Sequence, residues 1–301
     1  MERIYVIGAG AVGLLMASFL SEAHYPVTIV TRREEQAIEI CKDGITRFNV
    51  NGQPQKFDVA AITEQQLQVE GGAIVIVATK YNALQTLFPT LKKLENVSLL
   101  FMQNGLLHYE QALTLKQTNI MFGSAQFGAE KINETTVYQR GLGVLKLAIG
   151  RGNEAIIKAF EAASNERFFI EQQPDAEQML LEKALLNCFV NPLTALLQVR
   201  NGQLIQNTHA YHLLQQLYQE LMQAFPEMQQ KFPFQAVYQL CERTAENISS
   251  MLADRQAGRK TEIDTIVGAV IQRAKKIGAD VPTLSVLYYL LLAIEESGEK
   301  M

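Results

Sequence analysis

Along the first half of the chain, short apolar runs alternate with longer stretches whose apolar positions recur at helical spacing. "RIYVIG" reads as a strand, "AVGLLMASFLSEA" as a helix and "PVTIVTR" as a second strand. "AIVIVAT", "NVSLLFMQ" and "NIMFGSAQ" are further buried strands. Strand and helix taking turns predicts a parallel sheet covered on both faces. "TTVYQRGLGVLKLAIG" reads instead as a hairpin, two alternating runs around "RGLG". After "RFFIEQQPDAEQ" only helical periodicity remains, broken by "RNGQ", "FPEMQQKFP", "DRQAGRK" and "GADVP". The pattern predicts an α/β domain over residues 1–170 followed by an all-α domain over residues 171–301. The stretch "LSVLYYLLLAI" near the end reads as core rather than as a dimer interface, and a monomer or a homodimer is expected.

One helix breaks the usual segregation of polar from apolar. In "LEKALLNCFVNPLTAL", Lys183, Asn187 and Asn191 recur at intervals of four and share one face, while Ala184, Leu185, Leu186, Cys188, Phe189 and Val190 cover the rest. Burying an ammonium without a partner is costly, so this stripe is expected to face something polar.

Composition narrows the partners. Of 301 residues, 48% are hydrophobic and 19% charged, with a formal net charge of −4. No basic domain supplies the electrostatic term that nucleic-acid binding needs. The three cysteines are far apart, and no Cys/His cluster has metal-ligand spacing; His209 and His212 read as surface residues. The apolar start "IYVIGAGAVGLLMASFL" is too short for a membrane span and is broken by three glycines, so a soluble cytoplasmic protein is expected.

"VIGAGAVG" places Gly8, Gly10 and Gly13 in the G-x-G-x-x-G spacing, directly after a strand and opening a helix. Each glycine has a task there: a tight turn, close approach of backbone to a pyrophosphate, and close packing of helix on strand. The N-terminal half is therefore expected to be a Rossmann-type dinucleotide-binding domain. The second strand ends "VTIVTRR", with Thr31, Arg32 and Arg33 where an NAD site carries a carboxylate. Arginine suits a 2′-phosphate, which favours NADP. Lys80 after "VIVAT", and Gln103 and Asn104 after "LLFM", stand at strand ends where ligands of open α/β sheets bind.

A dinucleotide implies a substrate beside it, and the helical half is the candidate to hold that substrate. A lysine there could protonate a carbonyl oxygen as hydride reaches the carbon. In "ISSMLADRQAGRKTEIDTIVGAV", Thr261 can cap a helix with Asp264 at the capping-box position, which puts Glu262 in the first turn. Asn247, Ser249 and Ser250 offer neutral hydrogen bonds to a small acid.

Taken together, "GAGAVG", Thr79–Lys80, Gln103–Gly105, "K-x3-N-x3-NPLTAL" from Lys183, Asn201–Gly202, "SSM" and "TEID" resemble the ketopantoate reductases (2-dehydropantoate 2-reductases), and the match spans essentially the whole chain. The resemblance implies NADPH-dependent reduction of ketopantoate to pantoate on the way to pantothenate and coenzyme A. It implies Lys183 as the general acid and Glu262 as the carboxylate that bonds the substrate hydroxyl. It implies substrate contacts from Asn104, Asn187, Asn191, Asn247 and Ser250. Cofactor contacts are implied for Gly8, Ala9, Gly10, Ala11, Val12, Gly13, Arg32, Lys80, Asn104, Ala129 and Glu262, with no metal. Where the family commonly reads T-H-G-A, this chain reads "AQFGA" from Ala125 to Ala129, so Gln126 and Phe127 alter the neighbouring surface. Two alternatives are a reductase of another small 2-keto or 3-hydroxy acid, and a non-catalytic NADP-binding sensor. The sensor predicts loss of the proton donor, whereas Lys183 and Glu262 are both present.

Overall fold

The computed structural model describes residues 2–298 and forms two compact units. One comprises residues 2–103 with His108–Met179, the other Asn104–Leu107 with residues 180–298. The first unit runs β1 (Ile4–Ile7), α1 (Ala11–Glu22), β2 (Val27–Thr31), α2 (Glu34–Asp43), β3 (Ile45–Phe48), β4 (Pro54–Phe57), β5 (Ala60–Thr63), β6 (Ile74–Val77), α3 (Tyr81–Leu91) and β7 (Ser98–Phe101). It continues through α4 (Leu107–Leu113, which begins in the other unit), β8 (Asn119–Ala125), β9 (Gly128–Lys131), β10 (Thr136–Gly141), β11 (Val144–Arg151), α5 (Ala155–Glu161) and β12 (Phe169–Gln173). The main sheet has the order β12-β11-β8-β7-β6-β1-β2-β5. All its neighbours are parallel except β8 and β11. Its segment from β5 to β8 has the strand order of a dinucleotide-binding sheet, with the switch point between β1 and β6. Every residue of β1, β2 and β6 is buried, which is why β1 and β6 are apolar runs and the only polar residues of β2 are the small threonines Thr28 and Thr31.

The second unit is helical: α6 (Ala176–Leu197), α7 (Gln203–Gln206), α8 (Thr208–Ala224), α9 (Phe234–Arg243), α10 (Ser250–Gln256), a π-helical turn (Asp264–Gly268), α11 (Ala269–Lys276) and α12 (Pro282–Ser297). Its core gathers Leu185, Phe189 and Leu193 of α6 with Leu217 and Leu221 of α8 and Leu284 and Leu291 of α12. The helix α6 is long and apolar enough to cross a membrane by length and composition, and most of it is buried inside the protein. The expectation that "LSVLYYLLLAI" is core holds for Leu284, Leu287 and Leu291. It fails for Val286, Tyr289 and Leu290, which are 58%, 67% and 48% exposed. These three fall at i, i+3 and i+4, so they form a stripe on the face of α12 opposite its core leucines.

The hairpin expected over Thr135–Gly150 is corrected by the structure. The strand β10 pairs with β9 and β3 in a second, four-stranded sheet ordered β4-β3-β10-β9, while β11 joins the main sheet between β8 and β12. The chain changes sheets at Gly141–Gly143. A Cβ on Gly143 would lie 2.0 Å from the Gln126 carbonyl oxygen, so glycine is what lets the crossing strands pass this closely. The helix α1 contacts β1 and β2 on one side and β3, β4, β9 and β10 on the other. Covered from both sides, it buries every residue from Gly13 to Leu20, which explains why its sequence is apolar all round.

Arg47 of β3 ties the second sheet to α1. Its guanidinium is fully buried and donates to Asn49 Oδ1 at 3.1 Å, Gln55 Oε1 at 3.0 Å and Glu22 Oε2 at 2.7 Å, and it stacks 3.9 Å over the Phe19 ring. Glu22 also accepts from Arg167 at 2.7 Å. Burial works to raise the Glu22 carboxyl, but the hydrogen bond and charge of Arg47, with Gln55 and Arg167, outweigh it and hold it below the ordinary carboxylate range. Removing one partner of a buried pair strands the other. Arg47→Ala is expected to lose about 3–5 kcal/mol of stability, measured as a lower urea midpoint by circular dichroism.

Candidate functional site

The loop after β1 needs glycine at two of its three positions, where close approaches leave no room for side chains. Gly8 has φ +109°, and a Cβ there would lie 2.9 Å from the Ala78 carbonyl at the end of β6. A Cβ on Gly13 would fall 1.9 Å from the Gly8 carbonyl oxygen, so α1 can lie this close to the strand end only with glycine in its first turn. A Cβ on Gly10 would meet nothing within 4 Å. Space is therefore open at the N-terminus of α1, where Gly10 is the N-cap and no side chain caps the helix. Ala9, Gly10, Ala11 and Val12 line this end, and the unpaired N–H groups with the helix dipole favour an anion. Nearby, Gln103 Nε2 donates to the Val77 and Thr79 carbonyls at 2.9 and 3.0 Å. Gln103 Oε1 and Thr79 Oγ1 are buried without a hydrogen-bond partner. A glycine cradle, an uncapped helix start and unsatisfied polar atoms at the ends of β6 and β7 fit a dinucleotide.

At the end of β2 the sequence shows no carboxylate, but the fold supplies one. Glu134, in the turn between β9 and β10, pairs with Arg33 at 2.5 Å and with Lys131 at 2.8 Å. The Lys131 hydrogen bond, acting against desolvation and aided by Arg33, holds the Glu134 carboxyl below its ordinary range. Arg33 is thus committed to Glu134, while Arg32 is exposed on the same strand end. Glu35 and Glu39 also act on Arg33, so Arg32 is the arginine whose charge suits a 2′-phosphate. Lys80 is exposed at the N-cap of α3. Ala129 lies in β9 opposite Gln139, in the second sheet.

The helical unit assembles a second group of residues. Lys183 and Asn187 are half-buried on α6, and Asn191 is buried with its Nδ2 3.4 Å from Ser250 Oγ. Burial pushes the Lys183 ammonium below the ordinary lysine range. Ser249 turns out to be the N-cap of α10: its hydroxyl accepts from the Leu252 N–H at 3.1 Å and from Thr194 Oγ1 at 2.7 Å. That bond fixes α10 to α6 and leaves Ser250, the next residue, facing Asn191. Asn247 is exposed and joined to the RNG turn through its backbone, its carbonyl accepting from the Asn201 N–H at 3.0 Å.

Glu262 accepts from Asn104 Nδ2 at 3.0 Å, although 158 residues separate them. The segment from Asn104 to Leu107 belongs to the helical unit. Its Leu106 N–H bonds the Thr265 carbonyl at 3.1 Å, and a Cβ on Gly105 would lie 1.9 Å from that same oxygen. "QNG" therefore needs its glycine to bring Asn104 against the turn that carries Glu262. The expected capping box does not form. Asp264 accepts from the Tyr288 hydroxyl at 2.7 Å, Thr261 Oγ1 accepts from Ile263, and the Thr261 N–H is held by Glu295 at 3.0 Å. Asp264 begins a turn of π geometry, a form frequent at functional sites.

Residues 4–152 match the family model "Ketopantoate reductase PanE/ApbA" and residues 175–295 match "Ketopantoate reductase PanE/ApbA C terminal". The chain is 34% identical to the 2-dehydropantoate 2-reductase of Listeria monocytogenes, over 97% of each chain, and 33% identical to that of Bacillus subtilis, over 99% of each. A crystal structure of a probable 2-dehydropantoate 2-reductase from Bacillus subtilis superposes with TM-score 0.83 at 32% identity, covering 97% of this chain and all of that one. The ternary structure of D-mandelate dehydrogenase with NADH and anilino(oxo)acetate shares the fold, with TM-score 0.86 at 22% identity and 99% coverage of both chains. A structure described as dimeric ketopantoate reductase from Staphylococcus aureus, 21% identical, has a TM-score of 0.78. With both halves matched by that family's models, and full-length relatives a third identical in sequence, this chain belongs to the ketopantoate reductase family.

Proposed function

We infer that the protein reduces ketopantoate to pantoate with NADPH, in the cytoplasm, as a step toward pantothenate and coenzyme A. The first unit is the cofactor domain in this reading, and the helical unit is the substrate domain. The observation that carries it is the desolvated Lys183 ammonium on an amide-lined stripe, in the same unit as the Asn104–Glu262 pair. The loop from Gly8 to Gly13 would hold the pyrophosphate, Arg32 and Lys80 the 2′-phosphate, and Ala129 would add a contact through β9. Bound NADPH supplies the hydride.

The chain's own residues supply the rest. Lys183 gives its proton to the ketone oxygen as that oxygen becomes an alkoxide. Desolvation destabilises the ammonium, so the group is a stronger acid than a lysine in water and the transfer is easier. Glu262, oriented by Asn104, accepts a hydrogen bond from the substrate's hydroxyl. Asn187, Asn191, Ser250 and Asn247 donate to the carboxylate and fix the face presented for reduction. The exposed stripe of Val286, Tyr289 and Leu290 supports self-association through α12, giving a homodimer.

Purified protein should oxidise NADPH rapidly with ketopantoate and slowly with pyruvate, 2-ketoisovalerate or NADH. Turnover confined to another 2-keto acid would replace the substrate while keeping the chemistry, and tight NADPH binding without any turnover would leave the sensor reading. Lys183→Ala should lower kcat by about 10²–10⁴-fold with NADPH affinity little changed. A general acid must be protonated, and its pKa is lowered here. The alkaline limb of kcat should therefore fall at a pH below the ordinary lysine value and be missing from the residual activity of Lys183→Ala. Sedimentation should show a dimer that Tyr289→Glu converts to monomer.

A further inference from the structure

The side chain of Gln36 has no role in the reading given above, yet it is built like part of the site. It sits in the first turn of α2, where Glu34 and Glu35 are exposed, but is itself only 6% exposed. Its Nε2 donates to the Ala9 carbonyl at 3.1 Å and to the Glu134 carbonyl at 3.0 Å. Both N–H bonds of the amide are thereby used.

The consequence follows from the planar peptide. In a trans peptide the carbonyl and the next N–H point to opposite sides. Turning the Ala9 carbonyl toward Gln36 therefore turns the Gly10 N–H away from it, toward the open space at the start of α1. Gly8 and Gly10 flank Ala9, and glycine has more backbone freedom than any other residue. Left to itself, the Ala9–Gly10 peptide could rotate and withdraw its N–H from an incoming anion. The second bond anchors Gln36 to the β9–β10 turn, whose Glu134 side chain also holds Arg33 and Lys131. Because this bond goes to the Glu134 backbone carbonyl, it fixes the direction in which the amide presents its other N–H and leaves the Glu134 carboxylate to Arg33 and Lys131.

We propose that Gln36 is a positioning residue for the cofactor: it fixes the Ala9–Gly10 peptide so that the loop's N–H groups are aimed at the pyrophosphate before it arrives. This rests on the reading of the glycine loop as a dinucleotide site. The effect acts on the part of the cofactor common to NADPH and NADH, so both lose affinity together.

The test is calorimetric titration of the full-length protein with NADPH and with NADH, comparing wild type, Gln36→Leu, Gln36→Glu and Arg32→Ala. Gln36→Leu keeps the volume and removes the donors. It should weaken both dinucleotides by about tenfold, leave their ratio unchanged, and leave kcat at saturating NADPH within about twofold. Gln36→Glu, which turns a carboxylate toward two carbonyls, should weaken both further. Arg32→Ala should weaken NADPH alone. Wild-type affinity in Gln36→Leu, or a loss confined to NADPH, would overturn the proposal, as would a fall in kcat without a change in affinity. Failure of the wild type to bind either dinucleotide would instead overturn the cofactor reading on which the proposal depends.

Discussion

The first unit depends on how closely α1 lies against the end of β1. The Gly8 carbonyl occupies the place that a side chain at position 13 would need. Because of that approach, the helix N-terminus opens at the switch point of the sheet, between β1 and β6. Helix and strand in such contact leave no room for water, and α1 is then buried from its other side by the second sheet. The buried Arg47 belongs to the same arrangement. It holds β3 on α1 through Glu22 and stacks on Phe19, so the element that presents the anion site is fixed at both ends.

Electrostatics divide the chemistry between the two units. At the end of β2, Glu134 pairs with Arg33 and Lys131 while Arg32 stands exposed beside them, a setting that suits a phosphate at Arg32. In the helical unit the logic is reversed. Lys183 is a charge made uncomfortable by desolvation, on a helix face it shares with the neutral amides Asn187 and Asn191, and this makes its proton easier to give up. Glu262 stays close by in sequence terms to a π-helical turn and is held by the amide of Asn104. A neutral donor can orient a carboxylate without neutralising it, which suits a group meant to accept a substrate hydroxyl.

Several residues that looked alike in the sequence have been given different work. Ser249 and Ser250 are adjacent, but one caps α10 and the other faces Asn191. Asn191 and Asn201 are both buried; the first meets Ser250, and the second donates its side-chain amide to Thr244 and its backbone N–H to the Asn247 carbonyl, which docks the loop before α10. Arg32 and Arg33 are neighbours, and only Arg33 is tied down by Glu134.

The sequence by itself determined the alternation of strand and helix, the glycine loop, the absence of a carboxylate at the end of β2 and the Lys183–Asn187–Asn191 stripe. All of these are local patterns, set by periods of two or 3.6 residues and by where only glycine fits. Tertiary structure decided what no local pattern encodes. It sent β10 and β11 to different sheets, because the pleat of a strand does not name its partner. It brought Glu134 to Arg33 and Asn104 to Glu262 across about a hundred residues or more of chain, and it drew Asp264 to Tyr288 in place of a capping box. It also left Val286, Tyr289 and Leu290 outside the core, since an apolar helix does not reveal which of its faces will be covered. These are contacts between distant segments, and packing rather than propensity selects them.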